Sequence, residues 1–227
     1  MENFIVSNIV WLVMTILPIL LFFAIVIGNT TVVYMIKYSK NPLKPIILNP
    51  QSEVMQKIQE FYPWAKENGF EWVNSYKTFG SAVVAAWEKK GEPTFLCVYC
   101  LSNGTISRDF ATDFNDGGGL TTANSPDACM FPLSQGNYNQ TFPNSTIEEQ
   151  WNWHQHAIEH LKKNLNVDIS TDTPGFEKSF IKGVKGPVEY ITSLPLWQFR
   201  APYWFLVRRK RMCGKTVSEL LHAGLLK

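Results

Sequence analysis

The chain has no charged side chain between Asn3 and Ile36. That stretch is mostly Ile, Val, Leu, Phe and Met, and it has no polar face, which excludes the amphipathic surface helix of a soluble domain. It also lacks what a cleaved leader needs. The one charged residue ahead of it is Glu2, its apolar run is long, and no A-x-A pattern follows. Other scarcities narrow the function. Four cysteines, scattered, do not make a disulfide scaffold, and there is no second C-x-x-C. Four histidines include no H-E-x-x-H pair. A net charge of +2 is too small for a nucleic-acid surface. No internal repeat or long low-complexity tract is present, and no cofactor motif is found.

What is there begins with the anchor. About 20 apolar residues in a helix cross a hydrocarbon core of ~30 Å, and Asn8 to Ile27 suffice. Gly28, Asn29, Thr30 and Thr31 then bring polarity at headgroup depth, and Pro18 is expected to kink the helix. Lys37, Lys40 and Lys44 follow the run and no Lys or Arg precedes it. The flanking-charge rule therefore places the N-terminus outside and the rest of the chain in the cytoplasm, a single-pass signal-anchor arrangement at the cell membrane. Sequons at Asn29, Asn103, Asn139 and Asn144 support the opposite placement, a disulfide-bridged ectodomain.

After the anchor (1–37), residues 38–48 read as a linker, because YSKNPLKP cannot continue a helix. Asn49-Pro50 looks like a helix start. Val54, Ile58, Phe61 and Ala65 then form one apolar face up to Asn68-Gly69, divided by Pro63. From Phe70 the period changes to two. Phe70–Phe79, Ser81–Trp87 and Thr94–Leu101 read as strands. Asn103-Gly104 makes a hairpin turn into Ile106–Phe114, whose Ser107, Asp109, Ala111 and Asp113 are expected on a wet face. Leu120–Asn124 closes an antiparallel meander of four or five strands. Residues 125–145 read as a long loop. Thr146 to Glu149 is a capping box opening a helix with Ile147, Trp151, His154, Ile158 and Leu161 on one face. Helix, meander, helix gives an α+β domain over 49–166. Residues 167–227 form a helical arm.

In that arm, Trp197, Tyr203 and Trp204 lead into Arg208, Arg209, Lys210 and Arg211. Interfacial aromatics followed by clustered cations predict an amphipathic contact with the cytoplasmic leaflet. Cys97 and Cys100 resemble a C-x-x-C site but lie within a strand, where residues three apart point to opposite faces. His156 and His160 share a helical face and are the candidate metal ligands, but no third ligand is in sight. Asp109, Asp113 and Asp116 do not match a calcium loop. Gly117-Gly118-Gly119 precedes a strand rather than a helix, so it is no phosphate cradle.

The string FATDFNDGGGLTTANS, followed by a helix with WNWHQHAIEHL, resembles an uncharacterised group of bacterial membrane-anchored proteins, over about Phe61 to Leu165. The resemblance implies a bacterial origin, with the sequons unused, and assigns no catalytic residue. The sequence thus favours a membrane-tethered binding, scaffold or accessory-subunit protein over an enzyme, its partners the bilayer and another membrane or cytoplasmic protein. The enzyme alternative is a hydrolase or redox protein with a site under the 125–145 loop, built from His156, His160 or the Asp109/Asp113 pair.

Overall fold

Helix α1 runs from Glu2 to Ser39 without a break at Pro18 in the computed structural model, which describes residues 2–79 and 82–226. Met1, Ser81 and Lys227, which begin or end three of the expected segments, lie outside the described residues. At ~1.5 Å per residue α1 is far longer than a ~30 Å hydrocarbon core requires, and its two parts differ. Leu17, Leu20, Phe22, Phe23, Val26 and Ile27 are exposed, whereas Gly28 and Val32 are buried. By length and composition α1 can cross a membrane. The buried part belongs to the folded domain.

A seven-stranded sheet follows: β1 (Lys44–Ile46), β2 (Phe70–Lys77), β3 (Val83–Lys89), β4 (Thr94–Cys100), β5 (Ile106–Asp113), β6 (Gly119–Ala123) and β7 (Asn137–Thr141), in sequence order across the sheet. The count exceeds the expected four or five, because two strands sit in stretches read as linker and loop. Pro45 interrupts β1's apolar pattern, yet β1 needs only one partner and pairs with Tyr76 and its neighbours at the sheet edge. The polar run NYNQT of β7 pairs in parallel with β6, through a loop containing a 3-10 turn at Pro126–Cys129. All other pairings are antiparallel. The Asn103-Gly104 hairpin forms as read, with Gly104 at φ 79° and the Asn103 side chain accepting from the Thr105 amide at 3.0 Å.

One sheet face is covered by α2 (Glu53–Gln59), α3 (Tyr62–Glu67), α4 (Ile147–Leu165) and α8 (Val217–His222). Pro63 does divide the first helical segment, but the N-cap is Ser52, whose hydroxyl accepts from Met55. The capping box at Thr146 and Glu149 is complete. The alternation read for β5 is correct on this side, since Phe110, Thr112 and Phe114 are buried beneath α4.

The other face is only partly wet, with Ser107, Asp109, Ala111 and Asp113 all half-buried. Helix α5 (Phe176–Ser193) and the end of α1 lie over it, with Phe176 packed on Tyr76 and Phe95. From there α6 (Trp197–Tyr203), a π-helical turn (Trp204–Arg208) and α7 (Arg209–Met212) lead back to α8. Val32, Ile191, Ala201 and Trp204 form one buried cluster joining α1, α5 and α6. A Cβ on Gly28 would stand 2.6 Å from the Ala201 Cβ, so only glycine allows these two helices to come this close. The arm therefore docks on the anchor and on the main core, and Gly214 donates to the Thr141 carbonyl at 2.8 Å.

A chain lacking residues 1–27 should still fold, because none of the described side chains it loses is buried. A chain lacking residues 1–37 should be destabilised by about 2–4 kcal/mol, since it deletes Val32 and uncovers Ile191, Ala201 and Trp204. Urea titration of both fragments tests this, and equal midpoints would show that α1 is only a leash.

Candidate functional site

Between the second sheet face, α5, the end of α1 and the loop of residues 126–134 lies a cavity of about 620 Å³. That is in the range of small-molecule sites. Its floor is built by strand alternation. Phe95, Cys97 and Tyr99 of β4 and Asp109, Ala111 and Asp113 of β5 point into it, as Asn137 and Asn139 of β7 do from the far side. Phe131, Leu133, Phe180, Val184 and Pro187 make the walls mostly apolar. Two residues of the anchor, Thr31 and Met35, complete them.

The shape of α5 leaves this space open. Gly183 and Gly186 line the cavity, and a Cβ added to either meets nothing within 4 Å. Pro187 has no N–H to give to the Gly183 carbonyl, which leaves that acceptor without its helical partner. At the mouth, Asp113 takes a hydrogen bond from the Ser179 hydroxyl and faces Lys182 at 4.0 Å. A second, polar hollow of about 360 Å³ continues outward between Asp113, Asp172, Lys178 and Lys182.

Asp109 is the distinctive group. It was expected on a wet face, but α5 covers that face and makes it the cavity floor. Burial raises its carboxyl to about 7, opposed by the polar Tyr99 hydroxyl beside it. Among the described residues no cationic side chain acts on it. Cys97 faces Asp109 across the ladder, and burial together with that carboxylate pushes its thiol far above the ordinary range. It is therefore a poor nucleophile. Cys100 points to the opposite face, so the C-x-x-C pair cannot close.

The other sheet face carries the contrasting case. His154 is fully buried under α4 and uses both ring nitrogens, Nε2 with Thr112 Oγ1 and Nδ1 with Thr122 Oγ1, each at 2.8 Å. Gln140 extends the chain by donating to Thr122 Oγ1 and to the Trp153 carbonyl, and it accepts from the Val217 amide. Burial holds His154 neutral, near 3. Every member has its partners, which makes this network structural.

Of the residues singled out by sequence, His156 is exposed and His160 is partly buried beside Asn164, far from any third ligand. No group of three or more His, Cys, Asp or Glu able to hold a metal occurs among the described residues. The glycine triplet has a packing reason, because a Cβ on Gly118 would overlap the Gly136 carbonyl at 1.9 Å. Of the proposed interface residues, Trp204 is turned inward against Phe131 and Trp197 is half-buried against the same cluster. Arg208 donates to the Leu225 carbonyl, and Arg209 pairs with Asp127 at 3.0 Å. Tyr203, Lys210 and Arg211 remain at the surface, together with Leu196, Phe199 and Leu206. Two sequons are occupied by structure. Asn139 donates to the Ala128 carbonyl inside the fold, and Asn29 sits on α1 against Gln198. No family model, curated protein or solved structure matches this chain.

Asp109 and His154 act in opposite pH ranges. Unfolded, Asp109 ionises near 3.8, while folded it keeps its proton to about 7, so its contribution is lost as pH rises from 4 to 7. Unfolded, His154 takes a proton near 6.5 but folded only near 3, so its contribution is lost as pH falls through that window. Asp109→Asn should raise the melting temperature at pH 8, by about 2–4 °C for each kcal/mol recovered, and flatten the loss between pH 4 and 7. His154→Ala should cost about 2–4 kcal/mol at pH 7.5. Thermal melts across pH check both, and a destabilising Asp109→Asn would show that the carboxylate is satisfied within the fold.

Proposed function

We propose that this chain is a single-pass membrane protein that holds a ligand-binding α+β domain on the cytoplasmic surface of the bilayer, with the cavity over β4 and β5 as its site. The observation that carries this reading is that Thr31 and Met35 of α1 form part of the cavity wall. A helix able to cross the membrane thus also shapes the pocket, and the two are one rigid unit at Gly28 and Ala201. The orientation rests on Lys37, Lys40 and Lys44 after the apolar run. It is supported by exposed Lys210 and Arg211 beside the apolar stripe Leu196, Phe199, Tyr203 and Leu206, which suits an interfacial helix. Tethering in this way raises the local concentration of the domain for membrane partners, including a larger complex in which it would be an accessory subunit.

An enzyme is the second reading, because Asp109 and Asp113 both line the cavity beside the 126–134 loop. Four residues apart on one strand, their Cα atoms are about 13 Å apart, too far for a pair sharing one proton. Cys97 is no thiolate, and the histidines lie outside the cavity. Binding is the better use of this geometry.

Protease treatment of intact cells should leave the C-terminal domain whole, and opened membranes should lose it. A nitroxide at position 199 or 206 should be shielded from an aqueous relaxation agent, while one at exposed Trp153 should not. Digestion from outside would reverse the orientation, and an unshielded position 199 would detach the arm from the bilayer.

A further inference from the structure

Resting on the cavity as the ligand site, we infer that its ligand is a lipophilic amine: an apolar molecule with one protonated nitrogen, taken up from the headgroup layer beside α1. Depth is the first argument. Exposed apolar side chains run along α1 from Ile27 to Val33 and Tyr34, and Thr31 lies within that stretch. The anchor side of the cavity therefore opens where the apolar helix meets the polar layer of a leaflet, about 6 Å beyond Ile27.

Charge is the second argument. The ionisable carboxylates in the lining are Asp109, Asp113 and Asp127, against one cation, Lys182. Lys182 faces Asp113 at 4.0 Å, and Asp127 is paired with Arg209 at 3.0 Å. Among the described residues Asp109 has no cationic partner, and it shares the cavity lining with Phe95, Phe176 and Phe180. A carboxylate half-buried in mostly apolar surroundings is costly unless a cation or donor joins it. The Tyr99 hydroxyl lines the same cavity, and a ligand ammonium would supply the charge. An anionic amphiphile would place like charges together on the same floor. The apolar walls take the rest of the molecule, and the open positions at Gly183 and Gly186 leave room for it along α5.

The test uses the full chain in phosphatidylcholine nanodiscs, with 11-(dansylamino)undecylamine as probe and 11-(dansylamino)undecanoic acid as its anionic counterpart. Empty discs give the lipid background. The amine should show saturable, blue-shifted emission above that background, and the acid should not. Asp109→Asn, close to isosteric, should weaken the amine roughly tenfold or more. Ala111→Phe, which fills the floor beside Asp109, should abolish binding, and circular dichroism confirms that each variant is folded. If both probes bind alike and Asp109→Asn changes nothing, the cavity reading stands and the amine is wrong. If neither probe saturates above the lipid background, the cavity is not a ligand site and both inferences fall.

Discussion

The contact on which the rest depends is the close crossing of α1 and α6 at Gly28 and Ala201. Without a side chain at Gly28, the arm comes close enough for Val32, Ile191 and Trp204 to share one dry cluster. A helix whose first part is exposed and apolar thereby becomes, within a few residues, part of a packed core. The cavity exists because of this. Remove the end of α1 and the space over β4 and β5 loses the wall made by Thr31 and Met35. An ordinary leash would tolerate almost any polar sequence after the apolar run, whereas this one requires glycine at position 28.

The two faces of the sheet solve the problem of buried polarity differently. Under α4, His154, Thr112, Thr122 and Gln140 exchange hydrogen bonds until each is satisfied. Such a network specifies how the helix sits on the sheet and has nothing left to offer a ligand. On the opposite face, Asp109 keeps only Tyr99 beside an accessible apolar space. A domain selected for stability alone has no use for a carboxylate there, and Asn or Ser would serve the strand as well. The imbalance between the faces is thus a better pointer to function than either residue alone.

Much of the fold was legible because it is local. The apolar run, the Thr146 capping box, the Asn103-Gly104 hairpin and the alternation along β5 each depend on a few neighbouring residues, and each appears as read. What was illegible depends on partners distant in sequence. β1 and β7 have weak strand patterns and exist because β2 and β6 offer free edges. The site was hidden for the same reason. Ser107, Asp109, Ala111 and Asp113 form a period-two polar row, and such a row means solvent only if nothing covers it. The cover is α5, more than sixty residues away, and no spacing within β5 announces it.

The arm shows the limit of composition from the other direction. Trp197, Trp204 and Arg208 have the residue types of a membrane interface, but a helix has several sides. Those three turn towards α1, Phe131 and the Leu225 carbonyl. The side facing outward carries Leu196, Phe199, Tyr203 and Leu206, spaced at three, four and three residues. Of the side chains counted there, Tyr203, Lys210 and Arg211 are exposed, whereas Trp204 is turned inward and Trp197 and Arg208 are half-buried. The docking of α6 on Gly28 decides which side is free. The same crossing that makes the pocket therefore also selects the residues that α6 leaves exposed.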